Sequence, residues 1–318
     1  MAVYTRVDET SLTKFLSLYG KPPATVFKGI AEGVENSNYL LESGGERFIL
    51  TLYEKRVAAE DLPYFLSLMD HVMEKGIPAA GPVRDLQGET LQTLCGRPAA
   101  LIHFLEGMSP DTPTLPQTVA AGAALAQFHL ATEDFSMKRP NALGPQGWPP
   151  LIEQSGERLN DIEAGLYQEL TEVAQECLDQ WPEDLPKGTI HADLFPDNIF
   201  FNGEEVCGLI DFYFACTDFF AYDLAICMNS WTPEGSLTAD NAHSFLRGYE
   251  QVRALGEDEM IALPLFLKGA ALRFYATRAY DWLHQIPGSL VRVKDPSPYL
   301  HLLRHHRDHP TAFLENIS

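Results

Sequence analysis

Four polar residues, His191, Asp193, Asn198 and Asp211, cluster in the second half of the chain. The first three stand at H-x-D-x4-N spacing within Gly188–Ile199, and Asp211 closes the apolar run Gly208–Leu209–Ile210. Pro196 and its polar neighbours predict a loop here rather than a helix. Ile199–Phe201 and Val206–Ile210 read as short strands joined by Asn202–Gly203–Glu204–Glu205, a hairpin signal. Antiparallel pairing then sets Asn198, entering the first strand, beside Asp211, leaving the second. Asp193 lies in the loop that feeds the same end. Such a convergence of carboxylate, amide and carboxylate suits phosphoryl transfer to an alcohol. That reaction asks the protein to position a hydroxyl, accept its proton and neutralise phosphate charge. Asp193 suits the first two tasks, because a carboxylate of ordinary pKa, about 4, is ionised at neutral pH. Asn198 and Asp211 suit the third, since Mg²⁺ takes hard oxygen ligands. His191 is expected to brace the loop.

The elements that must carry these residues fall into two sections. Asp8–Ser17 opens with a capping signature and helical spacing. Thr25–Ile30, Asn38–Glu42 and Arg47–Tyr53 then read as strands, followed by a helix over Ala58–Glu74 and two more strands, Thr90–Leu94 and Ala99–Phe104. Cys95–Gly96–Arg97–Pro98 joins the last two. The turn Gly33–Ser37 sits where a hairpin would fold over phosphates, with Asn36, Ser37 and Asn38 as candidate donors. Phe104 begins the segment whose backbone would read the edge of an adenine. After Gly107 the composition shifts to Pro, Thr and Asp, which places a lobe boundary there, with residues 1–107 on one side and 108–318 on the other. From Gln117 the pattern is helical: Val119–Thr132, Leu151–Trp181, Asp240–Ala254 and Asp258–Gln285. His129 falls on the core face of its helix and reads as a hydrogen-bonded core histidine. In the last of these helices Phe274, Arg278, Asp281, Trp282 and Gln285 share a face. This face predicts a pocket wall in which a guanidinium holds a carboxylate and an acid holds an ammonium. The candidate substrate contacts are therefore Arg278 and Asp281, with Tyr222 from the string Tyr222–Ile226. His301 and His305 share a helical spacing without the accompanying ligands of a zinc site.

Bulk properties narrow the class. A net charge of −21 argues against nucleic acid or an anionic membrane surface as partner, and fits a soluble protein with a cationic or zwitterionic substrate. No basic-then-apolar leader opens the chain, and runs such as Met260–Leu267 fall short of the ~20 apolar residues of a spanning helix. The five cysteines form no C-x-x-C pair and read as reduced core thiols of a cytoplasmic protein.

The H-x-D-x4-N loop, the hairpin and Ile210–Asp211–Phe212, after a β-rich lobe and inside a helical one, resemble the protein-kinase-like small-molecule phosphotransferases. That group holds aminoglycoside phosphotransferases, choline kinases and homoserine kinases. His191–Phe201, Gly208–Ala215, Tyr222–Ile226, Arg273–Leu283 and Lys294–Pro296 look most like the homoserine kinase branch. The resemblance implies an α+β, two-lobed fold, with a small antiparallel sheet and one main helix in the N-lobe and a larger, mostly helical C-lobe. It implies use of ATP and Mg²⁺ to phosphorylate the side-chain hydroxyl of L-homoserine, with other amino alcohols or aminoglycosides as the alternative acceptors. One departure stands out. The third strand of such folds usually carries a lysine for the α/β-phosphates, and Thr51 stands there, leaving Glu60 without that partner. Thr51 is retained as a nucleotide-site candidate.

Overall fold

The computed structural model describes residues 5–30, 36–54, 58–233, 239–285 and 293–315. They fall into two compact units, the first made of residues 1–107 with 207–213, the second of 108–206 with 214–318. The predicted lobe boundary treats 207–213 as part of the second section. These residues pack with the first because Leu209 donates to the Pro78 carbonyl (2.7 Å) and accepts from the Ala80 N–H (3.2 Å).

In the first unit, helix α1 (Glu9–Leu18) starts at Asp8, whose carboxylate accepts from the Ser11 N–H at 2.9 Å. Strands β1 (Val26–Gly29), β2 (Asn36–Ser43), β3 (Glu46–Tyr53), β4 (Gln92–Leu94) and β5 (Arg97–His103) make an antiparallel sheet of order β1-β2-β3-β5-β4. The turn between β4 and β5 is shorter than the predicted four residues. Cys95 (φ 52°) and Gly96 (φ 75°) both occupy the left-handed region, as a two-residue hairpin of matching twist requires, so pairing resumes at Arg97. Leu12, Phe15 and Leu16 of α1 pack on Tyr39, Leu41, Phe48, Leu50 and Leu101 of the sheet. Helix α2 (Leu62–Glu74) follows a short 3-10 turn, Ala59–Asp61, and buries Leu62, Phe65, Leu66, Met69 and Val72.

The second unit is mostly helical, with α3 (Leu115–Ala131), α4 (Trp148–Ser155) and α5 (Leu166–Gln180) ahead of strand β6 (Lys187–Ile190). Strand β7 (Ile199–Asn202) forms the predicted hairpin with β8 (Glu205–Leu209), whose last three residues belong to the first unit, and Gly203 stands at φ 65° in its turn. Strand β9 (Cys216–Phe219) pairs antiparallel with β6, and α6 (Phe220–Ser230), α7 (Asp240–Glu250), α8 (Glu257–Leu283) and α9 (Ser297–Asp308) complete the unit. Helices α3 and α7 meet at two glycines. A Cβ on Gly122 would stand 2.0 Å from the Phe245 carbonyl oxygen, and one on Gly248 would stand 1.9 Å from that of Val119. The small residues of α3 thus serve backbone-to-backbone contact. Helix α8 is long and apolar enough to cross a membrane by length and composition alone. It is nevertheless the core helix of this unit, with Leu263, Phe266, Leu267, Ala270, Leu272 and Tyr275 all fully buried.

Candidate active site

The loop that carries Asp193 leaves β6 as a buried strand and turns sharply. Ile190 and His191 are fully buried, and Ala192 adopts φ 63°, a left-handed conformation that costs an alanine about 1–2 kcal/mol. Hydrogen bonds hold this turn. The Asp223 carboxylate accepts from the His191 N–H (2.8 Å) through Oδ2 and from the Ala192 N–H (2.9 Å) through Oδ1. Arg273 donates to the Ala192 carbonyl at 2.8 Å, and the Trp231 indole N–H donates to that of Leu194 at 2.8 Å. The Asp193 carbonyl then accepts from the Phe195 N–H (2.8 Å) and from Asn198 Nδ2 (2.8 Å). Asn198 Nδ2 also reaches Asp193 Oδ2 at 3.2 Å. The outcome is a half-buried carboxylate on a fixed backbone.

Asp223 is the residue that sequence reasoning missed. It belongs to the string Tyr222–Ile226, but only tertiary contact reveals its work: it accepts from His129 Nε2 (3.0 Å) as well as from the two loop amides. Burial pushes the Asp223 carboxyl up, but the hydrogen bond and charge of His129, with the His191 N–H, outweigh it and hold the group below its ordinary range. Burial also pushes the His129 imidazole down, against the pull of Asp223. The imidazole thus sits between the Asp223 carboxylate at Nε2 and the Tyr249 hydroxyl at Nδ1, 2.7 Å away. Arg253 donates to Tyr249 (3.3 Å) and is paired with buried Glu259 (3.0 Å). His129 is the core histidine its position predicts.

The remaining predicted residues separate into groups. The His191 ring is wholly buried, edge-on to Phe128 at 6.0 Å, so it braces the loop from inside. Asn198 is tied to Asp193, and because its nitrogen is engaged, Oδ1 is the hard oxygen it can offer a cation. Asp211 follows β8 in the first unit, half-buried, at φ 64°. Nearby Tyr213 bonds Tyr53 through their hydroxyls (3.1 Å). Asn36, Ser37 and Asn38 lie in β2 rather than in a turn, and Gly33–Glu35 of the expected turn falls outside the described residues. Their side chains are engaged across the sheet: Thr51 donates to Asn38 Oδ1 (2.9 Å), and Ser37 to Glu54 (2.8 Å), which is paired with Arg97 (3.2 Å). Glu60 is exposed. Phe104 lies just past β5, beneath the Arg47 guanidinium at 4.4 Å.

Arg278 lines a cavity of about 390 Å³ in the second unit, together with Phe195, Asn229, Trp231, Lys294 and Tyr299. Its guanidinium stacks 4.5 Å over the Tyr299 ring and donates to the Asp295 carbonyl at 3.2 Å. Two other expected substrate contacts lie elsewhere. Asp281 is exposed on the last turn of α8, where the helix has run past the core. Tyr222 is fully buried, packed on Trp181 (5.2 Å) and Phe266 (5.8 Å), because α6 is enclosed over nearly its whole length.

Known proteins resemble this chain at three levels. The phosphotransferase enzyme family matches residues 26–255. Homoserine kinase of Rhizobium meliloti (strain 1021) is 52% identical over 309 residues, covering 96% of this chain and 95% of that protein. Homoserine kinase of Nitrobacter winogradskyi is 50% identical with both chains fully covered. Among solved structures, amicoumacin kinase hAmiN, in complex with AMP-PNP and Ca²⁺, superimposes with TM-score 0.69 at 18% identity, covering 95% of this chain and 93% of that one. A microcompartment-associated aminopropanol kinase does so with TM-score 0.68 at 18% identity, covering 96% of each. The fold is that of the protein-kinase-like phosphotransferases, as the sequence strings predict.

Proposed function

The chain belongs to the phosphotransferase enzyme family, and on that footing we propose that it is an ATP-dependent kinase of L-homoserine, with O-phospho-L-homoserine and ADP as products. One observation carries the chemistry: a half-buried carboxylate, Asp193, presented on a backbone turn that buried side chains hold in a strained conformation. The acceptor is carried by the two homoserine kinases of about half identity over nearly the whole chain.

The homoserine hydroxyl oxygen forms a bond to the γ-phosphorus of ATP while the bond from that phosphorus to the β,γ-bridging oxygen breaks and ADP departs. Asp193 orients the hydroxyl and accepts its proton. Asn198 Oδ1 in the second unit, and separately the Asp211 carboxylate in the first, are hard oxygens of the kind magnesium takes, and the ion would neutralise phosphate charge. Asn198 has a second duty, since its Nδ2 keeps the Asp193 carboxylate in place. Arg278 binds the substrate carboxylate from the wall of the cavity, which begins at Phe195, two residues beyond the base. The partner is thus a small molecule. The thiols of all five cysteines are free, in keeping with a cytoplasmic enzyme.

The test is a coupled ADP-release assay over L-homoserine, L-serine, aminopropanol, choline and an aminoglycoside. Homoserine is expected to give the highest kcat/KM. Turnover on another alcohol with none on homoserine overturns the assignment of acceptor while leaving the chemistry standing.

A further inference from the structure

Arg273 is 2% exposed, yet it carries a full charge in the interior of the second unit. Its guanidinium lies 4.4 Å from the Phe274 ring and 5.9 Å from that of Phe214. Taking a guanidinium out of water costs several kcal/mol, and an apolar side chain of similar length would pack between the two rings without that cost. An apolar side chain lacks the hydrogen bond that Arg273 makes to the Ala192 carbonyl, and also the positive charge that Arg273 sets beside Asp218 and buried Tyr222. That carbonyl belongs to the peptide joining Ala192 to Asp193. Its orientation sets the position of the Asp193 nitrogen and Cα, and so the direction in which the carboxylate points. The peptide on the far side of Asp193 is held separately, by Phe195 and Asn198. Ala192 itself sits at φ 63°, so the upstream peptide needs an external restraint to stay where it is.

We infer that Arg273 is a positioning residue for the transfer step: it pins the Ala192–Asp193 peptide and thereby aims the carboxylate of Asp193 at the substrate hydroxyl. The inference rests on the reading of Asp193 as the base. Arg273 comes from the middle of α8, more than one helix turn from Arg278 on the cavity wall, so one helix both aims the base and lines the acceptor cavity.

The test is a double-variant cycle in the full chain, with L-homoserine and ATP as substrates. Arg273→Lys keeps the buried charge but loses the planar fork, while Arg273→Met keeps the aromatic packing and has no donor. Both are expected to fold, with melting temperatures a few degrees below the parent's because a buried carbonyl loses its donor, to keep the KM for ATP, and to lose about tenfold or more in kcat. Asp193→Asn is expected to lose more. In that background the Arg273 substitutions should cost nothing further, because the group being aimed is gone. Three results overturn the inference. One is a kcat within about twofold of the parent's in both Arg273 variants. Another is an equal fractional loss in the parent and in the Asp193→Asn background, which would make the arginine a general structural element. The third is loss of the folded state in both variants. A near-parental kcat in Asp193→Asn alone removes the base assignment and this inference with it, and is recognisable from that single variant.

Discussion

Asp193 is held on both sides, because both neighbouring peptides and one carboxylate oxygen are restrained. Asp193→Asn keeps the size and the backbone contacts but cannot accept a proton. It is expected to bind ATP normally and to lower kcat by about two orders of magnitude, measured as ADP release at saturating substrates. Asp211→Asn weakens a hard oxygen ligand, so its magnesium titration should shift to higher concentration with less change in maximal rate. Arg278→Ala is expected to raise the KM for homoserine about tenfold or more with a smaller effect on kcat, as for a contact made alike in ground and transition states. An unchanged KM would place the carboxylate contact on another residue. His191, Asp193, Asn198 and Asp211 stand out in the sequence because their spacing is local to one loop and one hairpin. Asp223 does not, because its partners are the backbone amides of His191 and Ala192 and the ring of His129, far away in the chain.

Helices α3 and α7 form the frame behind that loop. Helix α3 brings His129, which bonds Asp223, and α7 brings Tyr249, which bonds His129; the two rings meet where Gly122 and Gly248 let the backbones touch. Gly248→Ala forces a methyl against the Val119 carbonyl, a backbone atom that cannot move aside. It is expected to cost about 3 kcal/mol, read as a lower urea midpoint, at the upper end for overpacking. A stability within about 0.5 kcal/mol of the parent would mean that α7 can slide without penalty. The helical periodicities located α3, α7 and α8, whereas the pairing of α3 with α7 left no trace in either helix alone. Likewise Arg278, Asp281 and Trp282 share a face by spacing. The helix passes the core before Asp281, and only Arg278 of the three is buried.

For the whole molecule, buried imidazoles set the response to acid. His306 is 1% exposed, and its Nε2 bonds Asn229 Oδ1 at 2.9 Å. Burial, with a smaller push from His305, lowers its pKa from 6.5 to about 3. The unfolded chain therefore takes up a proton near pH 6.5 that the native state refuses until about pH 3. The stability contribution is complete above 6.5 and declines as pH falls through that window, by up to about 1.4 kcal/mol per pH unit for one proton. His129, also depressed by burial, acts in the same direction. Urea midpoints taken between pH 7 and pH 4 should fall steadily, and His306→Gln should lessen the slope. Equal slopes in the two proteins would show that His306 titrates freely in the native state.

The sequence by itself determined the chemistry, the order of elements and the class of fold, since each is written in patterns that span a few residues: a loop motif, a hairpin, helical and alternating periodicities. Composition added the exclusion of polyanionic partners through the net charge of −21. Tertiary structure alone decided which side chains hold the loop and which face the cavity. Tyr222 and Asp281 are as polar and as well spaced as Arg278, but enclosure of α6 and the overrun of α8 remove them from the cavity wall. Arg273, unremarked as a functional residue in its helix, is brought onto the Ala192 carbonyl from 81 residues away. Burial and long-range hydrogen bonding depend on which elements pack together, and no stretch of the chain states that on its own.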